Sequence, residues 1–217
     1  MGMNKIYISL LMVIVVACGK SNTELSRVEQ LPYYKDATFT PQWMTEKESL
    51  PSDFHQIPAF TLTNQLGQTI TEKEVMDKIY VADFFFTACP GICPKMTANM
   101  ARIQEAFKED EEVLLLSHSV TPEYDSIPVL KRYAKIKGVI DYKWHLLTGK
   151  RKDIYDLGRN FYFVEEDLGV EKDEGDFLHT ENFVLIDQNR HIRGIYSGLN
   201  KTAVQQLITD IKTLKRG

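Results

Sequence analysis

The sequence predicts an α/β protein, with a central mixed sheet flanked by helices and a short hairpin ahead of it. Three observations predict this class. Ile79 to Phe86 is an almost unbroken apolar run, the mark of a strand covered on both faces. Runs of that kind alternate with stretches whose apolar residues recur at helical spacing, which calls for parallel crossovers. Near the end, Phe183 to Ile186 and Ile192 to Tyr196 flank the turn Asp187-Gln188-Asn189-Arg190, a hairpin that adds an antiparallel edge.

The elements follow in order. Lys5 precedes a mostly apolar run, Ile6 to Val16, shorter than the ~20 residues a membrane span needs, so residues 1–17 read as a secretory signal peptide. Val15-Val16-Ala17 before Cys18 resembles a bacterial lipobox. That resemblance implies that Cys18 is lipidated and becomes the new N-terminus. The protein is then expected on a bacterial membrane through a lipid anchor, its domain outside the cytoplasm where disulfides persist. Residues 18–51 are polar with scattered aromatics (Tyr33, Tyr34, Phe39, Trp43) and no sustained period. They read as a tether and arm whose aromatics pack on the domain that follows, residues 52–217.

Within that domain, Phe60 and Leu62 alternate with polar residues, Gly67 marks a turn and Thr69-Ile70 returns, giving the early hairpin. Thr71 and Glu74 form a capping-box pattern that predicts a brief helix. Met96, Met100, Ile103 and Phe107 lie at helical spacing, Val113 to Leu116 is a second buried strand, and Ser126 with Pro128 opens another helix. That helix carries Val129, Leu130, Tyr133 and Ile136 on one face and ends at Gly138. Trp144 to Leu147 is a third strand, Asp153 to Asn160 a helix, Phe161 to Val164 extended, and Glu165 to Asp176 an acidic loop. Val204, Leu207, Ile208, Ile211 and Leu214 mark an amphipathic terminal helix. The formal charge of −4 and the lack of clustered basic residues argue against nucleic-acid binding. A monomer is expected.

Apart from Cys18, the only cysteines are Cys89 and Cys93, in Cys89-Pro90-Gly91-Ile92-Cys93-Pro94. A cysteine motif between the first crossover strand and its helix, followed by a late hairpin and a final helix, is the thioredoxin layout. Pro94 fits the first turn of a helix, which places Cys93 at the helix N-terminus. There the helix dipole is expected to lower the Cys93 pKa. Such a thiol pair can exchange electrons as a disulfide or hold a soft metal, and three intervening residues leave room for the metal. Of the five histidines, His55 lies in the arm, His118 and His145 are on strands and read as packed or surface residues, and His191 reads as solvated. His179 stands between the acidic loop and a strand, where a thioredoxin layout brings the loop end toward the cysteines.

The stretch from Phe84 to Pro94 resembles the Sco/SenC signature Phe-x-Phe-Thr-x-Cys-Pro-x-x-Cys-Pro. Ser119-Val120-Thr121-Pro122-Glu123-Tyr124-Asp125-Ser126 is similar to that family's Ser-x-Asp-Pro-x-Arg-Asp-Thr. Leu147-Thr148-Gly149 and His179-Thr180, with Phe183 to Asp187, match further segments in order. The resemblance spans about residues 50–215. It implies a copper-binding, thioredoxin-like protein in which Cys89, Cys93 and His179 hold copper, as Cu(I), Cu(II) or both. It also implies delivery of that copper to the binuclear copper centre of a respiratory oxidase, the partner being the copper-accepting subunit. A thiol-disulfide oxidoreductase that reduces the cysteines of a partner copper site is the other reading. The family often carries Asp before the histidine, where this chain has Leu178, and Asp176 is the candidate substitute for orienting the imidazole. Met96 and Met100 are soft donors by chemistry, but their spacing assigns them to the core.

Overall fold

The computed structural model describes residues 28–44, 49–165 and 177–216. The expected signal peptide with Cys18, and Asp176 with all of the acidic loop except Glu165, lie outside the described residues.

The alternating burial of one strand organises the molecule. β3 (Ile79–Phe85) is buried along its whole length. Ile79, Val81 and Phe85 face one apolar core, whereas Tyr80, Ala82 and Phe84 face a second. The first core is filled from helices α1 (Cys93–Ala106), α2 (Ile127–Lys137) and α4 (Lys201–Leu214) through Met96, Met100, Ile103, Leu130, Val204, Leu207 and Ile211. The second is closed by the antiparallel hairpin β1 (Thr61–Thr63) and β2 (Thr69–Thr71), and by α3 (Arg151–Asp156) with the π-helical turn Leu157–Phe161. Strands β4 (Val113–Ser119) and β5 (Trp144–Leu147) run parallel to β3, and β6 (Asn182–Ile186) and β7 (Ile192–Ser197) form the antiparallel hairpin. The sheet order is β5-β4-β3-β6-β7, with β6 antiparallel to β3. This is the mixed sheet flanked by helices that the sequence predicts.

Both sheet edges are covered, which removes the unpaired backbone that invites association. On β7, the Tyr34 N–H donates to the Ile192 carbonyl at 3.1 Å. The Arg193 guanidinium donates to the Leu31 and Pro32 carbonyls at 2.6 and 3.0 Å and lies 3.8 Å from the Tyr33 ring centroid. Leu31 itself is buried in the first core. On β5, the Gln65 side chain acts as a substitute backbone. It donates to the Trp144 carbonyl at 3.0 Å and accepts the Leu146 N–H at 2.8 Å.

Three expected local structures are corrected. The Glu74 carboxylate accepts the Thr71 N–H and hydroxyl at 2.6 and 2.7 Å, as a capping box should. No helix follows, because the chain closes successive turns and Asp77, at φ 59°, returns it to β3. Ile136 is 70% exposed, since the buried stripe of α2 runs through Leu130 and Ala134. Phe161 to Val164 is not extended. Tyr162 is buried with its hydroxyl 3.2 Å from that of Tyr80, Phe163 has φ 51°, and the Val164 N–H bonds back to the Gly158 carbonyl.

The buried stripes predict the energetics. Met100→Ala should lower stability by about 2–5 kcal/mol in denaturant titration, through loss of transfer energy and a residual cavity. Ile136→Ala should stay within about 0.5 kcal/mol. Comparable costs for the two would contradict the assignment of faces.

Candidate metal centre

β3 ends where Asp125 takes over its hydrogen bonding. The Asp125 carboxylate, 1% exposed, accepts the Thr87 hydroxyl at 2.5 Å and the Thr87 N–H at 3.2 Å. It also accepts the Ser119 and Thr121 hydroxyls at 2.6 and 3.1 Å. The chain leaving β3 is thereby pinned to the end of β4, two residues before Cys89. The Cys89 N–H then bonds to the Phe86 carbonyl, and α1 begins at Cys93 with Pro94 in its first turn. Proline is tolerated there because its missing N–H has no intrahelical partner.

The two thiols are free and unlike. Cys93 faces the first core and is 5% exposed. Burial, then the hydrogen bond with Cys89, pushes its pKa up to about 12. Cys89 is half-buried, and burial alone would raise its pKa. The Cys93 thiol and the backbone N–H groups of Cys93, Gly91 and Ile92 outweigh that and hold it below the ordinary thiol value. The expected lowering at Cys93 is therefore corrected. The open amides of a helix N-terminus point backward out of the helix. Here they meet the sulfur on the preceding loop, while the side chain of the first helical residue turns into the core.

His179 comes from the opposite side of the sheet end. Leu178 beside it is 2% exposed and belongs to the second core, where it reaches Gly158 so closely that a Cβ there would lie 2.6 Å from it. A buried leucine thus anchors the segment where the family often has a carboxylate. His179 itself is exposed, and its ring stands edge-on to Phe177, which stands edge-on to Phe86. Cys89, Cys93 and His179 line one small cavity of about 20 Å³ with Phe84, Phe86 and Val120. Among the described residues, no three His, Cys, Asp or Glu groups are already gathered so as to hold a metal ion. The cavity wall contains both thiols and the imidazole.

The other histidines are used in packing. His118 is fully buried against Phe84 and Tyr162, with its pKa lowered by burial to about 4. His145 is buried beside Asn64. His191, expected in solvent, is half-buried between Tyr33 and Phe54, with Nδ1 2.8 Å from the His55 carbonyl. Met96 and Met100 are fully buried core residues. Sequence reasoning missed Asp83, an acidic residue in an apolar strand. It is 2% exposed on the face of β3 that carries α1, and it accepts the Ser117 hydroxyl. Burial raises its pKa to about 7. A charged residue inside Ile79 to Phe86 was the available signal.

A thioredoxin-like α/β protein with two free thiols at a helix mouth and an imidazole across a shared cavity is thus defined. Comparison with known proteins gives the family. A sequence model of the SCO1/SenC family matches residues 49–216, and the chain belongs to that family. Among solved structures, a SCO1/SenC family lipoprotein from Bacillus anthracis str. Ames is 34% identical, with TM-score 0.62 over 74% of this chain and 95% of that one. BsSco, a member of the Sco family of cytochrome c oxidase assembly proteins in which a disulfide switch was identified, is 26% identical. Its TM-score is 0.60 over 74% of this chain and 93% of that one. Bradyrhizobium japonicum ScoI with copper bound is 25% identical, with TM-score 0.55 over 73% and 97%.

Two outcomes test this electrostatic picture. In the reduced protein near neutral pH, iodoacetamide should label Cys89 well before Cys93, read by peptide mass spectrometry; the reverse order would contradict the assignment. Asp83, raised to about 7, contributes stability that is present below about pH 4 and lost as pH rises through about 7. Asp83→Asn should therefore gain stability relative to the wild type between pH 5 and pH 8.5 in urea titrations. A difference independent of pH would show that the carboxyl ionises normally.

Proposed function

We propose that this chain is a copper metallochaperone that binds the metal through Cys89, Cys93 and His179 and passes it to the binuclear copper centre of a respiratory oxidase. The observation that carries this reading is the single cavity lined by both sulfurs and the imidazole. Two thiolates and an imidazole form a soft donor set suited to Cu(I), with Cu(II) also accessible. The copper-bound Bradyrhizobium japonicum relative, and BsSco as a member of a family of cytochrome c oxidase assembly proteins, point the same way. Cys89, Cys93 and the exposed His179 would hold the metal, the thiols giving up their protons on binding it. The acceptor is the copper-receiving subunit of the oxidase. Cys18 as a lipid anchor holds the domain at the membrane outside the cytoplasm, in keeping with the lipoprotein from Bacillus anthracis. Among the described residues no helix is long and apolar enough to cross a membrane.

The unlike thiols favour a second reading, thiol-disulfide exchange with a partner copper site. The Cys89 thiolate attacks a partner disulfide, forming a mixed disulfide and releasing one partner thiolate. Cys93, once deprotonated, attacks the Cys89 sulfur, closes the internal disulfide and releases the second thiolate. Reduced thiols are needed for copper, so the internal disulfide and the metal exclude each other.

Anaerobic copper titration of the reduced chain should give one copper per chain, abolished when both thiols are alkylated. His179→Ala should weaken copper binding by more than the ~10–100-fold typical of losing an outer partner. The same variant should reduce a disulfide substrate at the wild-type rate. Full copper occupancy after alkylation would remove the cysteines from the site.

A further inference from the structure

Glu165 and the segment that carries His179 are tied together by a contact that the cavity itself does not reveal. Glu165 Oε1 accepts the backbone N–H of His179 at 3.1 Å, and Oε2 accepts Arg159 Nε at 2.8 Å. The two side chains are 8% and 18% exposed, so the pair is shielded from the screening that makes surface ion pairs weak. Arg159 belongs to the π-helical turn Leu157–Phe161, and its guanidinium lies 5.1 Å from the centroid of the Tyr155 ring. Tyr155 is 4% exposed, and its hydroxyl donates to the Val120 carbonyl at 3.0 Å. Val120 lines the cavity of Cys89 and Cys93. A continuous set of contacts therefore runs from one wall of the cysteine cavity, through Tyr155, Arg159 and Glu165, to the backbone of the candidate imidazole donor. Leu178, packed by Gly158 on the same turn, fixes that segment from the other side.

We propose that Glu165 is a positioning residue for copper capture: with Arg159 it holds the His179 backbone where the imidazole reaches the sulfur pair. It takes the place of a carboxylate next to the histidine, acting on the main chain rather than on the ring. An exposed side chain on an untethered segment loses conformational freedom on closing over a metal. A backbone already fixed leaves only the two side-chain torsions of His179 to be set, so more of the interaction remains as affinity. The ion pair also couples the segment to the π turn, whose bulged geometry presents Arg159 toward Glu165.

The inference rests on His179 being a copper ligand, and the experiment separates the two. Glu165→Ala, Glu165→Gln and His179→Ala are compared with the wild-type chain by anaerobic copper titration, copper(II) electron paramagnetic resonance and thermal melting. Glu165→Ala should bind copper about 10- to 100-fold more weakly, with reduced nitrogen hyperfine coupling, while Cys89 alkylates at the wild-type rate. Glu165→Gln, whose amide oxygen still accepts the His179 N–H but whose NH2 group cannot accept from Arg159, should fall between the wild type and Glu165→Ala in affinity and spectrum. Wild-type affinity and spectrum in Glu165→Ala, beside loss of copper in His179→Ala, would overturn the positioning role alone. Wild-type copper binding in His179→Ala would overturn the three-ligand reading and this inference with it. Should Glu165→Ala not fold, Arg159→Gln decides: weakened copper binding there supports the tether, and wild-type binding overturns it.

Discussion

The position of the cysteine loop depends on the buried carboxylate of Asp125. It receives the hydroxyls of Thr87, Ser119 and Thr121 and the N–H of Thr87. A carboxylate removed from water requires such donors, since an unmatched buried charge is costly. In satisfying itself, Asp125 joins the end of β3 to the end of β4 and sets the point from which the chain turns through Pro90 and Gly91 into α1. That geometry aims the amides of Gly91, Ile92 and Cys93 at the Cys89 sulfur and turns the Cys93 side chain inward. The asymmetry of the dithiol is thus a consequence of where the strand stops.

The site also lies at the seam between two cores. Cys93 packs with the helices of one face, Leu178 with the other, and Phe86 touches both. The carboxyl ends of β3 and β4 are where a sheet of this kind leaves a crevice for ligands. Donors from the two faces can meet only there. The cysteines arrive at a helix start and the histidine on an irregular segment held by Leu178 and Glu165, so the sulfurs are placed by the fold and the exposed imidazole is free to turn. Such a division suits the proposed capture and release of a metal.

Much of this was legible in the residues. The run from Ile79 to Phe86, the late hairpin and the terminal helix each declare themselves by period, and the ordered Cys, Ser-to-Asp and His segments identify the family. What was not legible depends on tertiary context. The helix after Thr71 has its cap yet fails to form because the connection to β3 is too tight. Cys93 sits at a helix start, as Pro94 implies, but sequence does not tell which sulfur receives the amides. The link between Glu165 and His179 spans fourteen residues with no periodic signal and exists only through the π turn that carries Arg159. In sequence the candidate carboxylate just before the histidine is Asp176, whereas the contact in space comes from Glu165.

In the proposed copper site, two sulfurs held at a helix mouth and an imidazole from across the sheet end become one coordination sphere. X-ray absorption at the copper edge of the copper-loaded chain tests it most directly. Two sulfur neighbours and one imidazole nitrogen are expected, the nitrogen disappearing in His179→Ala. A copper site with no imidazole scattering, or one unchanged by that replacement, would contradict it.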